Sequence, residues 1–89
     1  VMNLEELPVY SVMESMSEED KKTYLPGIAF AGIIDYEMQL AQSENPEERD
    51  ECRDAIDALY LYANNNGVNT VDLQQTVRAA LPIALEADE

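Results

Sequence analysis

The sequence predicts an all-α protein, a compact bundle of about four helices that forms a single domain over residues 1–89. Apolar residues recur every three or four positions, which is the period of a helix. Capping residues, prolines and one Asn/Gly cluster divide the chain into pieces of helical length, whereas alternating strand patterns are weak throughout. Because 46% of the residues are hydrophobic, the chain has material for a core and is not a disordered acidic tail.

The first two predicted helices lie before residue 26. Asn3 can cap a first turn, and Pro8 suits the start of a helix whose apolar residues extend to Met16. Ser17 is followed by three acidic residues, which is typical of an N-cap and a first turn favoured by the helix dipole. Since proline breaks helices, we expect this second helix to be short and to end before the Pro26-Gly27 pair.

Residues 28–42 are the most apolar stretch and leave only a narrow polar stripe, which predicts a central helix. The next helix should begin at the Asn45 cap with Pro46 at its first position and run to about Ala63. Its inward face should consist of Cys52, Ala55, Ile56, Leu59 and Ala63. In the core, we expect burial of Phe30, Ile33, Ile34, Ile56 and Leu59.

The last helix follows the run 64–67, where Gly67 or an asparagine can take the left-handed C-cap conformation. Asn69 can cap this last helix, and an apolar face continues from Leu73 to Ala84. Pro82 lies inside that pattern, so we expect the helix to kink or end there.

The charge of the chain favours binding over chemistry. Nineteen acidic residues stand against five basic ones, giving a formal net charge of −14, and there is no histidine. Solubility of a small domain needs a net charge of only about 2–8. Such an acidic protein should be attracted to basic protein surfaces and repelled by nucleic acid and anionic membranes. The absence of histidine removes the commonest general base and metal ligand.

The densest run of acids lies on the helix predicted after Asn45. Glu47, Asp50, Asp54 and Asp57 are three or four residues apart, so they should form one stripe with Glu51 beside it. Successive carboxylates would lie roughly 4.5–6 Å apart along the axis. The stripe could occupy a phosphate-binding groove of another protein. The alternative is a solvated helix face on which Arg49 and Arg53 make local ion pairs.

An aromatic anchor is predicted beside this stripe. Three bulky residues stand together at Tyr60, Leu61 and Tyr62, and a helix cannot bury all three equally. We therefore predict Tyr60 or Tyr62 as an exposed interface residue. The alternative is that a second layer of the protein or a homodimer contact covers them.

Catalytic and metal sites find little support. Cys52, the only cysteine, falls on the predicted apolar face and is expected to be a buried small hydrophobe. Zinc and di-iron sites lack their histidines, and no residue run supplies the acids of a calcium loop. The Asp-Ser-Leu motif of acyl carrier proteins is also missing. The sequence therefore predicts no enzyme activity and no cofactor.

Two classes of function remain. The first is a charge mimic that binds and inhibits a basic, nucleic-acid-handling protein, as phage proteins aimed at restriction enzymes, CRISPR effectors and other nucleases do. The second is a protein–protein adaptor, such as an antitoxin or immunity-type bundle, a phage morphogenesis factor or a regulatory subunit. A single cysteine favours a cytoplasmic, intracellular setting, which includes that of an infected host. No direct nucleic-acid or membrane partner is expected.

Overall fold

The computed structural model describes residues 8–87, with side chains from Tyr10 onward. Four helices fill this range: α1 (Pro8–Glu14), α2 (Glu18–Gln42), α3 (Pro46–Asn65) and α4 (Thr70–Ala87). No strand occurs within the described range. The predicted all-α bundle of about four helices is therefore confirmed, while the predicted cap at Asn3 lies outside the described residues.

Helix α2 is the axis of the bundle. It packs against each of the other three helices, most extensively against α3 and then α4, whereas α3 and α4 touch each other little. Its 25 residues span about 37 Å at a rise of 1.5 Å per residue, which matches the longest dimension of the molecule, 38 Å. The prediction of a central helix within residues 28–42 is confirmed.

The predicted break at Pro26 is wrong, because α2 continues through it without interruption. Leu25, Ala29 and Ile33 are spaced four residues apart and are each at most 1% exposed, so an unbroken helix buries all three on one face. Proline removes one backbone hydrogen bond, the one that the Lys22 carbonyl would accept. The burial of three side chains outweighs that loss.

Helix α4 likewise does not end at Pro82 but runs to Ala87. The proline ring is exposed, while Leu81, Ala84 and Leu85 remain half-buried around it. Continuing the helix keeps these apolar side chains in contact with the bundle, so packing again overrides the local preference.

The core consists of two clusters. The larger joins α2, α3 and α4 through Ala29, Ile33, Ala55, Ile56, Leu59, Ala63, Leu73 and Val77. The smaller joins α1, α2 and α3 through Met13, Leu25 and Tyr62. Burial is confirmed for Ile33, Ile56 and Leu59, and the whole predicted inward face of α3 is buried. Phe30 and Ile34 are only half-buried, packing against the edge of the larger cluster.

The predicted caps form as hydrogen bonds. The side chains of Ser17, Asn45 and Asn69 each accept backbone N–H groups at the start of α2, α3 and α4, at 2.9–3.4 Å. At the end of α3, Gly67 adopts φ = 86°, which a side chain would disfavour. The Gly67 and Val68 N–H groups donate to the Asn64 and Ala63 carbonyls, which is the Schellman arrangement.

Candidate protein-binding surface

The predicted acid stripe lies on the outward face of α3, opposite the residues that pack on α2. Glu47, Asp50, Glu51 and Asp57 are exposed, and Asp54 is half-buried. We call these five residues the acid face. Helix α3 is therefore divided sharply, with carboxylates on one side and the apolar core on the other.

Arg53 forms an ion pair with the acid face that is open to water. Arg53 lies 3.6 Å from Asp50, and the two side chains are 58% and 75% exposed. Ion pairs this open to water contribute little, typically below about 1 kcal/mol, and are easily exchanged for another partner.

Arg49 behaves differently from the prediction that it makes a local ion pair on α3. Its guanidinium donates to the main-chain carbonyls of Leu40 at 2.6 Å and Ser43 at 3.0 Å. These carbonyls lie at the C-terminal end of α2, where the helix leaves acceptors unpaired and where the dipole attracts a cation. The charge of Arg49 is thereby drawn toward α2, which leaves the carboxylates of α3 less neutralised.

Tyr62 is not an exposed anchor, so that prediction is corrected. The residue is 6% exposed, and its ring packs edge-on against Tyr10 with centroids 5.6 Å apart. Its hydroxyl donates to Glu14 Oε2 at 2.9 Å, and Lys21 Nζ donates to the same oxygen at 2.6 Å. These contacts hold α1 against α2 and α3.

The hydrogen bonds to Glu14 also shift the pKa values of Glu14 and Tyr62. Those from Lys21 and then Tyr62 hold the pKa of Glu14 below its usual value. Burial, reinforced by the hydrogen bond to Glu14, raises the pKa of Tyr62. Glu14 is therefore ionised at neutral pH, as its structural role requires.

Tyr60 lies at the border of the acid face. It is half-buried against the larger core cluster and faces a cavity of about 300 Å³ between α2, α3 and α4. Burial and, next, the negative charge of Glu37 raise the pKa of its hydroxyl, while Arg78 opposes the shift. Of the two predicted anchors, Tyr60 alone stays near the surface.

Leu61 is the exposed member of the tyrosine-leucine-tyrosine run and was missed as a site residue. It is 59% exposed and follows Asp57 by four positions and Asp54 by seven. The same spacing that aligns the carboxylates therefore extends the acid face to an apolar side chain. That spacing was the signal in the sequence that could have identified Leu61.

A further groove lies elsewhere on the molecule. It measures about 660 Å³ and lies between α2 near Pro26 and Gly27 and the turn that joins α3 to α4. Its charged lining consists of Lys22 and Asp72, so it collects no group of titratable side chains.

Cys52 is 3% exposed, confirming the predicted buried cysteine, and burial raises the pKa of its thiol, so that it stays protonated at neutral pH. No three Cys, Asp or Glu side chains within the described residues are placed to hold a metal ion. None of the described helices combines the length and apolar character needed to cross a bilayer.

No protein family model, curated protein or solved structure matches the chain at a significant level.

Proposed function

We propose that this protein binds and inhibits a basic, nucleic-acid-handling protein by charge mimicry, in the manner of a phage anti-defence or anti-CRISPR-like inhibitor. The observation that carries the proposal is the acid face of α3: a row of carboxylates, most of them exposed, in which the ion pair between Arg53 and Asp50 is open to water. On a helix face that serves only solubility, a cation can pair with the neighbouring carboxylates. Arg49 instead donates to main-chain carbonyls at the end of α2.

The charge density of the row is comparable to that of nucleic acid. From Glu47 to Asp57 the helix advances about 15 Å, and four carboxylates of the stripe lie within that length. One strand of duplex DNA presents about four phosphates over the same distance, at one per roughly 3.4 Å. A groove that binds a phosphate backbone therefore meets a similar number of negative charges on α3.

The packing of α3 in the core also holds the row of carboxylates in place for binding. Cys52, Ala55 and Leu59 anchor the opposite side of α3 in the core, so the carboxylates are displayed on a fixed scaffold. Binding then costs little backbone ordering, which favours affinity. Contact between two acid faces would place like charges opposite each other, so a basic partner suits this surface better than a second copy does.

The exposed Leu61 favours a second candidate, a protein–protein adaptor. Mimicry of a phosphate backbone does not require an apolar residue, whereas protein interfaces commonly surround an apolar anchor with polar contacts. An adaptor would bind through Leu61 and Tyr60, with the carboxylates as a rim that accelerates association.

Competition with nucleic acid distinguishes the two. The protein is immobilised, its partner is captured from a lysate of the source cells, and the purified complex is challenged with duplex DNA and with guide RNA. Mimicry predicts that nucleic acid and this protein displace each other and that the partner's nuclease or binding activity falls when this protein is added. If nucleic acid binds the complex without displacement, the adaptor function replaces mimicry.

A further inference from the structure

The cavity beside Tyr60 has the composition of a binding site for a cationic side chain. Helices α3 and α4 both pack on α2 but barely on each other, which leaves a cavity of about 300 Å³ between them. Its walls combine two carboxylates on different helices, Glu37 of α2 and Asp57 of α3, with the ring of Tyr60. We call it the Tyr60 cavity.

We propose that the Tyr60 cavity receives one arginine side chain of the basic partner, an inference that rests on the proposed function and names what that partner inserts. The aliphatic stem of an arginine would lie along Ile56, Val77 and Leu81, which form the apolar part of the lining. Its planar guanidinium can stack on an aromatic ring and donate to two carboxylates, because it carries five N–H donors and no acceptor.

Size and position support a side chain as the occupant. The volume is at the lower limit of the roughly 300–1,000 Å³ of small-molecule sites, so one side chain fills it better than a larger ligand does. Asp57 belongs both to the acid face and to this cavity. A partner docked along the acid face is therefore within reach of it, and a central buried arginine is a common interface hot spot.

The chain's own Arg78 supplies an internal competitor. It lines the same cavity, is exposed, and makes no ion pair within 4 Å in the described part of the chain. Its positive charge opposes the entry of a second guanidinium. Removing that charge should therefore strengthen arginine binding.

The test uses blocked arginine (N-acetyl-arginine amide) as the probe, titrated at low salt into isotopically labelled protein and followed by NMR. Blocked citrulline, which has nearly the same shape without the charge, is the control ligand. We expect arginine, but not citrulline, to shift the resonances of Tyr60, Val77 and Arg78. Shifts spread along Asp50 and Glu51 instead, equal shifts with citrulline, or no shifts would each overturn the inference.

Two matched variants test the location. Gln74 lines the cavity and Gln75 does not, while both are exposed on α4. Gln74→Trp should block the cavity and weaken arginine binding about fivefold or more, whereas Gln75→Trp should leave it unchanged. Equal effects of the two substitutions would contradict a site in the cavity. Arg78→Gln should strengthen binding more than Arg53→Gln, which removes the same charge outside the cavity.

A failure of arginine binding in the Tyr60 cavity can be distinguished from a failure of the proposed function. Asp50→Lys/Glu51→Lys removes charge from the acid face without altering the cavity lining, so it should weaken partner binding while arginine still shifts Tyr60. If arginine fails to bind the cavity but the double variant still loses the partner, the proposed function stands without this inference.

Discussion

Replacing Pro26 with alanine tests whether α2 is one continuous helix. Proline is about 3 kcal/mol less favourable than alanine inside a helix, because it lacks the N–H group and crowds the preceding turn. Pro26 is exposed and its ring contributes nothing to the core, so the substitution removes no buried contact. The new N–H group can donate to the Lys22 carbonyl. Proline also restricts the unfolded chain by up to about 1 kcal/mol, which leaves a net stabilisation of about 2 kcal/mol.

The assay is thermal and urea unfolding followed by circular dichroism. For a domain of this size, 1 kcal/mol corresponds to roughly 4–8 °C, so Pro26→Ala should raise Tm by roughly 8–16 °C. A lower or unchanged Tm would refute a continuous α2 and support two helices separated by a turn, as the local sequence alone predicts.

Two glycines give matched controls for this reasoning. A side chain on Gly27 would meet no atom within 4 Å, and its φ is not positive, so Gly27→Ala should stabilise α2 by about 1 kcal/mol. Gly67 adopts φ = 86°, so Gly67→Ala should instead destabilise the protein by about 1 kcal/mol or more. The opposite signs distinguish a helical glycine from a capping glycine, and equal signs would contradict the placement of one of them.

Three further predictions concern packing, pH and salt. Leu59→Ala, at a site with no exposed surface, should lower the free energy of unfolding by about 2–5 kcal/mol, whereas Leu61→Ala should change it by less than about 0.5 kcal/mol; similar losses in denaturant titrations would contradict the assigned faces of α3. Because the folded pKa of Glu14 is lowered, the stability it contributes is present above its unfolded pKa and disappears as pH falls through the folded value. The stability difference between wild type and Glu14→Gln should therefore shrink in acid, and a difference independent of pH would exclude this linkage. Finally, raising salt from 10 to 150 mM shortens the Debye length from about 30 to 8 Å and should raise Tm, because it screens repulsion within a chain of net charge −14; a Tm independent of salt would show that the charges are already compensated.

Features governed by local hydrogen bonding could be predicted from the sequence. Ser17, Asn45 and Asn69 cap helices because their side chains reach N–H groups two or three residues ahead. Gly67 ends α3 because a left-handed residue is needed there. The inward face of α3 followed from spacing alone.

Features governed by distant contacts could not be predicted. Pro26 stays helical because Leu25 and Ala29 are buried by other helices, which no local pattern reveals. Tyr62 is buried because Glu14 and Met13, 48 and 49 positions earlier, lie over it. Arg49 turns toward carbonyls at the C-terminal end of α2, six and nine positions earlier, a contact that the spacing of charges along α3 does not indicate.

The acid face was thus predicted in part. Its carboxylates follow from helical spacing, and the same rule extended by one turn would have added Leu61. Its degree of neutralisation depends on where the arginines point, which required the structure.

The central claim is that the acid face of α3 binds a basic partner, and matched charge reversals test it most directly. Asp50→Lys/Glu51→Lys and the control Glu19→Lys/Glu86→Lys each change the net charge from −14 to −10, since each reversal adds two charges, but only the first pair lies on the acid face. The measurement is the Kd of the captured partner for wild type and both variants at two salt concentrations. We expect the first variant to lose at least about tenfold in affinity and most of the salt dependence, with helix content unchanged, while the control stays within about threefold of wild type. Equal losses in both variants, or none in the first, would contradict binding through the acid face.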